Sequence, residues 1–342
     1  MKFIALGRTK LLYDSILSLV ESGHEPLLII TSKATPEYSI TENDFEKLAK
    51  NLKVPFIFSK QLDTKSNLEL INKLKPDIGV SVNWNQLIPL KLLQSFKLGV
   101  LNAHAGDLPK FKGNAVPNWA ILSGEKKIAL TIHFMDEGLD SGRIIEKKYY
   151  KLNENTTITE IYEFLEKSCP QLFVTSLNKI SKGFRGKPQS KNLSLHLRCY
   201  PRIPKNSEIN WNSKSIDIIR LINASCEPFS GAYTFLDMKK LTIWKARRTK
   251  SKTKYLAING QIISINNNEV TVSCSDGFIV LESVSLSDDI KRKPSEIIKS
   301  VRKQLGMDIP NQILDLESRL SKLENLTNIK NMYFDKNYKN KN

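Results

Sequence analysis

The chain has 342 residues, 40% hydrophobic and 25% charged, ordinary globular proportions with room for two domains rather than one. Its net charge of +17 is uneven: residues 1–180 carry 23 Lys/Arg against 20 Asp/Glu, and the remainder 29 against 15. No apolar run approaches the length of a membrane span, so insertion into a bilayer is not expected.

The opening MKFIALGRTK has too short an apolar core for a signal peptide and reads as a first strand over Lys2–Gly7. Helical spacing over Leu11–Glu21 follows, then a strand at Pro26–Thr31, a helix at Glu42–Leu52 and a short β-prone run at Pro55–Ser59. Ser66–Leu74 is helical and Asp77–Val82 another buried strand. This alternation predicts a doubly wound, mostly parallel sheet, with its site beyond the carboxyl ends of the strands. The first turn is Gly7-Arg8-Thr9-Lys10, without the G-x-G-x-x-G of a dinucleotide fold. Arg8 and Lys10, beside the next helix's start, suit a phosphate or are two solvated charges.

Val82-Asn83-Trp84-Asn85 is polar and aromatic where a turn is expected. Gly99-Val100-Leu101 then begins a buried strand that delivers Asn102 and His104 to one face. Asp107-Leu108-Pro109 breaks it, Ala115–Ser123 is helical, and Ile128–Met135 is the next strand. That strand ends in Glu137-Gly138-Leu139-Asp140-Ser141-Gly142, a turn that could return the Asp140 carboxylate to His104. An amide, an imidazole and a carboxylate together suit acyl transfer to an amine. The first two stabilise an oxyanion, and the carboxylate takes the amine's proton or holds the histidine charged. On spacing alone, the same residues also suit a packed histidine, a structural asparagine and a turn aspartate.

Thr157–Lys182 reads as two helical stretches interrupted by Pro170, and residues 181–210, basic and proline-bearing, as an interdomain linker. Beyond Trp211 come a helix at Ser215–Ala224 and strands at Ala232–Leu236, Leu241–Ala246, Gly260–Ile265, Glu269–Cys274 and Gly277–Val284. Short strands with tight turns predict a small OB-like β-barrel over residues 211–308. The run Lys239–Lys254 holds eight Lys/Arg, no acid and only Trp244 as an aromatic; it reads mainly as a solvated face rather than a nucleic-acid platform. Residues 309–342 form a polar tail with a short helix at Leu314–Leu326 and a frayed end from Tyr333. The cysteines, Cys169, Cys199, Cys226 and Cys274, lack any Cys-x-x-Cys spacing, which predicts reduced thiols, a cytoplasmic protein and no metal site.

Asn102-Ala103-His104, Leu108-Pro109, Lys112-Gly113 and Asp140-Ser141-Gly142, in that order, resemble the signature of the formyltransferases that use 10-formyltetrahydrofolate. The resemblance implies a Rossmann-like catalytic domain over residues 1–180. In it Asn102 and His104 polarise the formyl oxygen and Asp140 assists proton transfer. Val82, Asn83, Trp84, Leu108, Gly138 and Leu139 are the implied folate contacts, and Arg8, Lys10, Lys112 and Asn114 the candidate acceptor contacts. His104-Ala105-Gly106, Asn114, Asn118–Ile121 and Thr131-Ile132-His133 resemble the branch that formylates nucleotide-linked amino sugars. Methionyl-tRNA formyltransferases usually carry Ser-Leu-Leu-Pro where this chain has Gly106-Asp107-Leu108-Pro109, though the basic second half suits tRNA. A nucleic-acid-binding protein with an inactive catalytic domain is the rival from another class. A homodimer is compatible with the resemblance. Arg143 stands where many relatives carry an acid.

Overall fold

The computed structural model describes residues 1–35, 38–84, 86–249, 255–287, 289–307 and 309–339, with backbone alone at 311 and 328–339. Asn85 and the end of the basic run, Lys250 to Lys254, lie outside the described residues, as do 340–342.

The chain opens β1 (Lys2–Gly7), α1 (Thr9–Glu21), β2 (Glu25–Thr31), α2 (Glu42–Leu52), β3 (Phe56–Phe58) and α3 (Lys65–Leu74). Next come β4 (Ile78–Val82), the single turn α4 (Leu90–Leu93), β5 (Val100–His104), the two-residue β6 (Lys112–Gly113) and α5 (Val116–Leu122). β7 (Lys127–Phe134), β8 (Ile144–Lys151) and α6 (Ile158–Ser181) follow. The first sheet has strand order β3-β2-β1-β4-β5-β7-β8, parallel from β3 to β5 and antiparallel for β7 and β8.

The doubly wound layering follows from side chains that alternate along buried strands. On β1, Phe3 and Ala5 enter the core beneath α1, α2 and α6, while Ile4 and Leu6 enter the opposite core with Ile71 and Leu92. Apolar on both faces, the strand can only be central.

Two elements depart from expectation. Thr157–Lys182 forms one helix, α6, which runs through Pro170. A proline inside a helix costs roughly 3 kcal/mol. Here a capping box between Thr157 and Glu160 and a buried stripe including Ile161, Leu165, Cys169 and Phe173 offset that cost. β8 was not expected at all, because only Ile145 of its eight residues is buried; it is a polar edge strand.

The second part contains β9 (Arg198–Cys199), α7 (Ser215–Ser225), β10 (Ala232–Leu236), β11 (Lys239–Thr249), β12 (Ile262–Asn266), β13 (Glu269–Cys274) and β14 (Gly277–Leu286). The one-turn α8 (Pro294–Ile297) and the long α9 (Ile309–Lys339) follow. β10–β14 form a barrel-like antiparallel sheet, order β10-β11-β14-β13-β12, over its own core of Trp211, Ile218, Ile222, Ile243, Leu281 and neighbours. α9 extends well beyond the short helix anticipated, and through Tyr333.

The segment between the sheets packs back onto the first. Lys187 pairs with Ile144, β9 pairs in parallel with β6, and the Trp119 indole donates to the Tyr200 carbonyl at 2.8 Å. All four cysteines are unpaired and buried. Among the described residues no helix is long and apolar enough to cross a membrane.

Candidate functional site

Antiparallel pairing of β5 with β7 sets Asn102 directly opposite His133 and His104 opposite Thr131. The sheet ladder therefore places two imidazoles and an amide on one patch of its carboxyl edge. His104, the last residue of β5, is buried, and its Nε2–H donates to the Phe111 carbonyl at 2.6 Å. With Nε2 committed, Nδ1 is the ring nitrogen that can meet a ligand.

Asp140 reaches this patch from the loop after β7. Its backbone is left-handed (φ 49°), a conformation Asp tolerates. Gly142 allows the turn to close, since a Cβ there would stand 1.9 Å from the Phe134 carbonyl oxygen. The Asp140 Oδ2 accepts from Gly113 N at 2.8 Å and lies 3.6 Å from His104 Nδ1, while Oδ1 lies 3.7 Å from His133 Nε2. The Gln189 side-chain amide donates to the carbonyls of Asp140 and Gly142, at 2.8 and 2.9 Å. Arg143 ties the end of the loop to the carbonyls of Arg185 and Gly186.

His133 is held neutral. Burial first, and the nearby His104 ring second, push its pKa down to about 4, against the upward pull of Asp140. Its Nδ1–H donates to the Phe134 carbonyl at 2.7 Å, which leaves Nε2 to accept from the Asn102 amide nitrogen at 3.3 Å. That partner assigns the orientation of the Asn102 amide.

The patch floors a cleft of about 280 Å³ that Val82, Asn83, Trp84, Asn114, Gly138 and Leu139 also line. Leu87, 77% exposed, also lines it, and among the described residues Trp84 Nε1 is buried without a partner. Apolar walls with a few aimed polar groups suit a flat, hydrogen-bonding ring, and the volume is near the low end for small-molecule sites. The unpartnered indole N–H fits an acceptor on such a ring.

The structure does not bring Leu108, Lys112, Arg8 or Lys10 to this cleft. Leu108 is 1% exposed, and its carbonyl accepts from Lys147 at 2.6 Å. Lys112 lies on β6. Arg8 donates to the carbonyls of Asn83 and Lys33, and Lys10 pairs with Asp14 and Glu166. Sequence reasoning missed His133 and Gln189 as parts of the site. Thr131 and His133 alternate along a strand, but only the register opposite Asn102 reveals the second histidine. Among the described residues no group of His, Cys, Asp and Glu could hold a metal ion.

Residues 1–177 match the family described as formyl transferase, and residues 202–302 match the formyl transferase C-terminal domain. Methionyl-tRNA formyltransferase of Clostridium tetani is 31% identical over 245 residues, 71% of this chain and 76% of that protein. The N-formyltransferase of Helicobacter canadensis, solved with folinic acid and dTDP-3-aminofucose, superposes with a TM-score of 0.62 at 21% identity. The match covers 82% of this chain and 98% of that one. HypX of Aquifex aeolicus, solved with tetrahydrofolic acid, superposes at 0.58 and 16% identity over 88% of this chain. The chain spans 47% of HypX, about half its length.

Proposed function

The chain belongs to the formyl transferase family, and from that premise we propose that it transfers a formyl group from 10-formyltetrahydrofolate to the primary amine of a nucleotide-linked amino sugar. The observation that carries the reading is the convergence of Asn102, His104 and Asp140 on the floor of one cleft. Bound there, the folate supplies a formyl group already activated for attack by an amine.

Asn102 and the cationic form of His104, through Nδ1–H, are the donors for the acyl oxygen as it gains charge. Asp140 takes the proton that the attacking amine loses, and His104 returns one to the nitrogen that departs. The amine must arrive unprotonated, because an ammonium has no lone pair. Asn83, Trp84, Gly138 and Leu139 enclose the folate ring, and Asn114, which also lines the cleft, is the acceptor contact. Residues 1–180 are taken as the catalytic domain, 181–210 as the connection and 211–308 as the barrel domain, in a cytoplasmic protein.

Two observations favour a sugar over tRNA. A side chain at Gly106 would stand 2.6 Å from His104 Nε2 and 2.3 Å from the Phe111 carbonyl oxygen, so the usual serine of the tRNA enzymes does not fit this loop. Three of the five cations of β11 are also paired with carboxylates: Lys245 and Arg247 with Glu282, Arg247 also with Glu269, and Arg248 with Glu154. The solved N-formyltransferase with an amino-sugar nucleotide supports the same reading. Methionyl-tRNA formylation is the second reading, favoured by the name of the Clostridium tetani relative and by the net charge of +17.

Incubation with 10-formyltetrahydrofolate and a panel of amino-sugar nucleotides and methionyl initiator tRNA, read by mass, tests both. The expected product is a formylated sugar nucleotide. Formylation of the tRNA alone would overturn the acceptor assignment, and formylation of nothing would overturn the transfer itself.

A further inference from the structure

Helix α9 carries an apolar stripe that the rest of the described residues leave open. Ile309, Ile313, Leu316, Leu320 and Leu323 are each between 51% and 61% exposed. Their spacing alternates four and three, the a and d rhythm of a heptad rather than the wider stripe of a helix packed on a globular core. Leu316 and Arg319 border the groove against Arg302–Met307 and Met238, yet Leu316 stays 59% exposed. Leu314 and Leu326 are exposed too, but fall at b and g, outside the seam.

The charges flanking the seam choose its partner and direction. With Ile313 and Leu320 at a, Arg319 occupies a g position, and Glu317 and Glu324 occupy e positions. In a parallel pair, each g residue meets the e residue of the next heptad on the other helix, so Arg319 meets Glu324 of the second copy, and Gln312 meets Glu317. An antiparallel pair would set glutamates at e against each other. Among the described residues of one chain Arg319 pairs with Asp315, at 3.7 Å, with both side chains about two-thirds exposed.

We propose that α9 is the docking surface for a second copy of this chain, joined as a short parallel two-stranded coiled coil. Such a pairing is two-fold symmetric and closes on itself. A seam of so few heptads makes association concentration-dependent. The proposal is independent of the catalytic reading.

Sedimentation equilibrium of the full chain, with three variants, tests it. The chain should dimerise as concentration rises, and Leu320→Glu should leave a monomer with unchanged turnover and, at concentrations where the unaltered chain is also monomeric, an unchanged Tm. Ile313→Cys should oxidise to a disulfide-linked dimer, because identical a positions face each other in a parallel pair; the native thiols are buried and should not compete. Arg319→Glu should weaken the dimer, and adding Glu324→Arg should restore it. A chain monomeric up to its solubility limit, a dimer that survives Leu320→Glu, or a lower Tm for that variant at concentrations where both chains are monomeric would overturn the proposal. Failure of the charge swap to restore pairing would overturn the parallel arrangement.

Discussion

Asp140 Oδ2 lies 3.6 Å from His104 Nδ1 while accepting a 2.8 Å hydrogen bond from Gly113 N. The carboxylate is thus held by backbone on one side and presented to the imidazole on the other. Because His104 Nε2 is already engaged by Phe111, the nitrogen facing Asp140 is the one left for substrate. A carboxylate and an imidazole so fixed can pass a proton with little rearrangement.

Glycine at position 106 is required by the same geometry. Gly106→Ser should displace the His104 ring or the Phe111 carbonyl, overpacking that costs about 1–3 kcal/mol. Turnover should fall further than stability implies, by roughly a hundredfold, as a positioned acid–base group is lost. Steady-state rates and a thermal melt on the variant check this; a well-folded, fully active Gly106→Ser would contradict it.

His133 gives the fold an acid-sensitive element. Between its ordinary value of 6.5 and about 4, the unfolded chain binds a proton on this ring that the folded chain refuses. Stability therefore is full above that window and falls as pH drops through it. His133→Leu should flatten this limb, leaving a residual slope from His24, whose pKa burial also lowers. The variant should also lower turnover by roughly tenfold by freeing the Asn102 amide, with folate affinity little changed, the pattern of a group that acts in the chemical step. Denaturant titrations across that pH range and a kcat–KM comparison read both effects.

Gln189 acts on the site through the backbone of the Asp140 loop. Gln189→Ala removes two hydrogen bonds to that loop and should reduce turnover roughly tenfold to a hundredfold without unfolding the protein, the scale of a small misplacement of a reacting group. Gln189→Glu lacks the amide donor and should behave likewise. An active Gln189→Ala enzyme would mean that Gly113, Gly142 and the Arg143 contacts suffice to fix the loop.

How much of this was legible in the sequence depended on whether a feature is local. The runs around Phe3–Leu6 and Leu28–Ile30 are apolar at every position, so burial on both faces, and with it the layered sheet, could be read directly. Asn102, His104 and Asp140 stood out through motif order. His133 entered only as part of a branch motif, because its place in the site comes from cross-strand register, and Gln189 did not stand out, because it returns from a distant basic segment. β8 was hidden by its lysines, an edge strand's polarity. Pro170 misled because packing of the buried face overrode a strong local signal.

The central claim, that Asp140 moves a proton during acyl transfer, is tested most directly by the single-turnover rate of Asp140→Asn. Asparagine suits the left-handed backbone at this position and keeps an oxygen for the Gly113 N–H, so the loop should stay in place and only the negative charge is lost. The account predicts that formyl transfer to the amino-sugar nucleotide slows by roughly a hundredfold or more. Affinity for 10-formyltetrahydrofolate should stay close to that of the unaltered protein. A variant that transfers the formyl group at the original rate would contradict it and return Asp140 to the role of a turn residue.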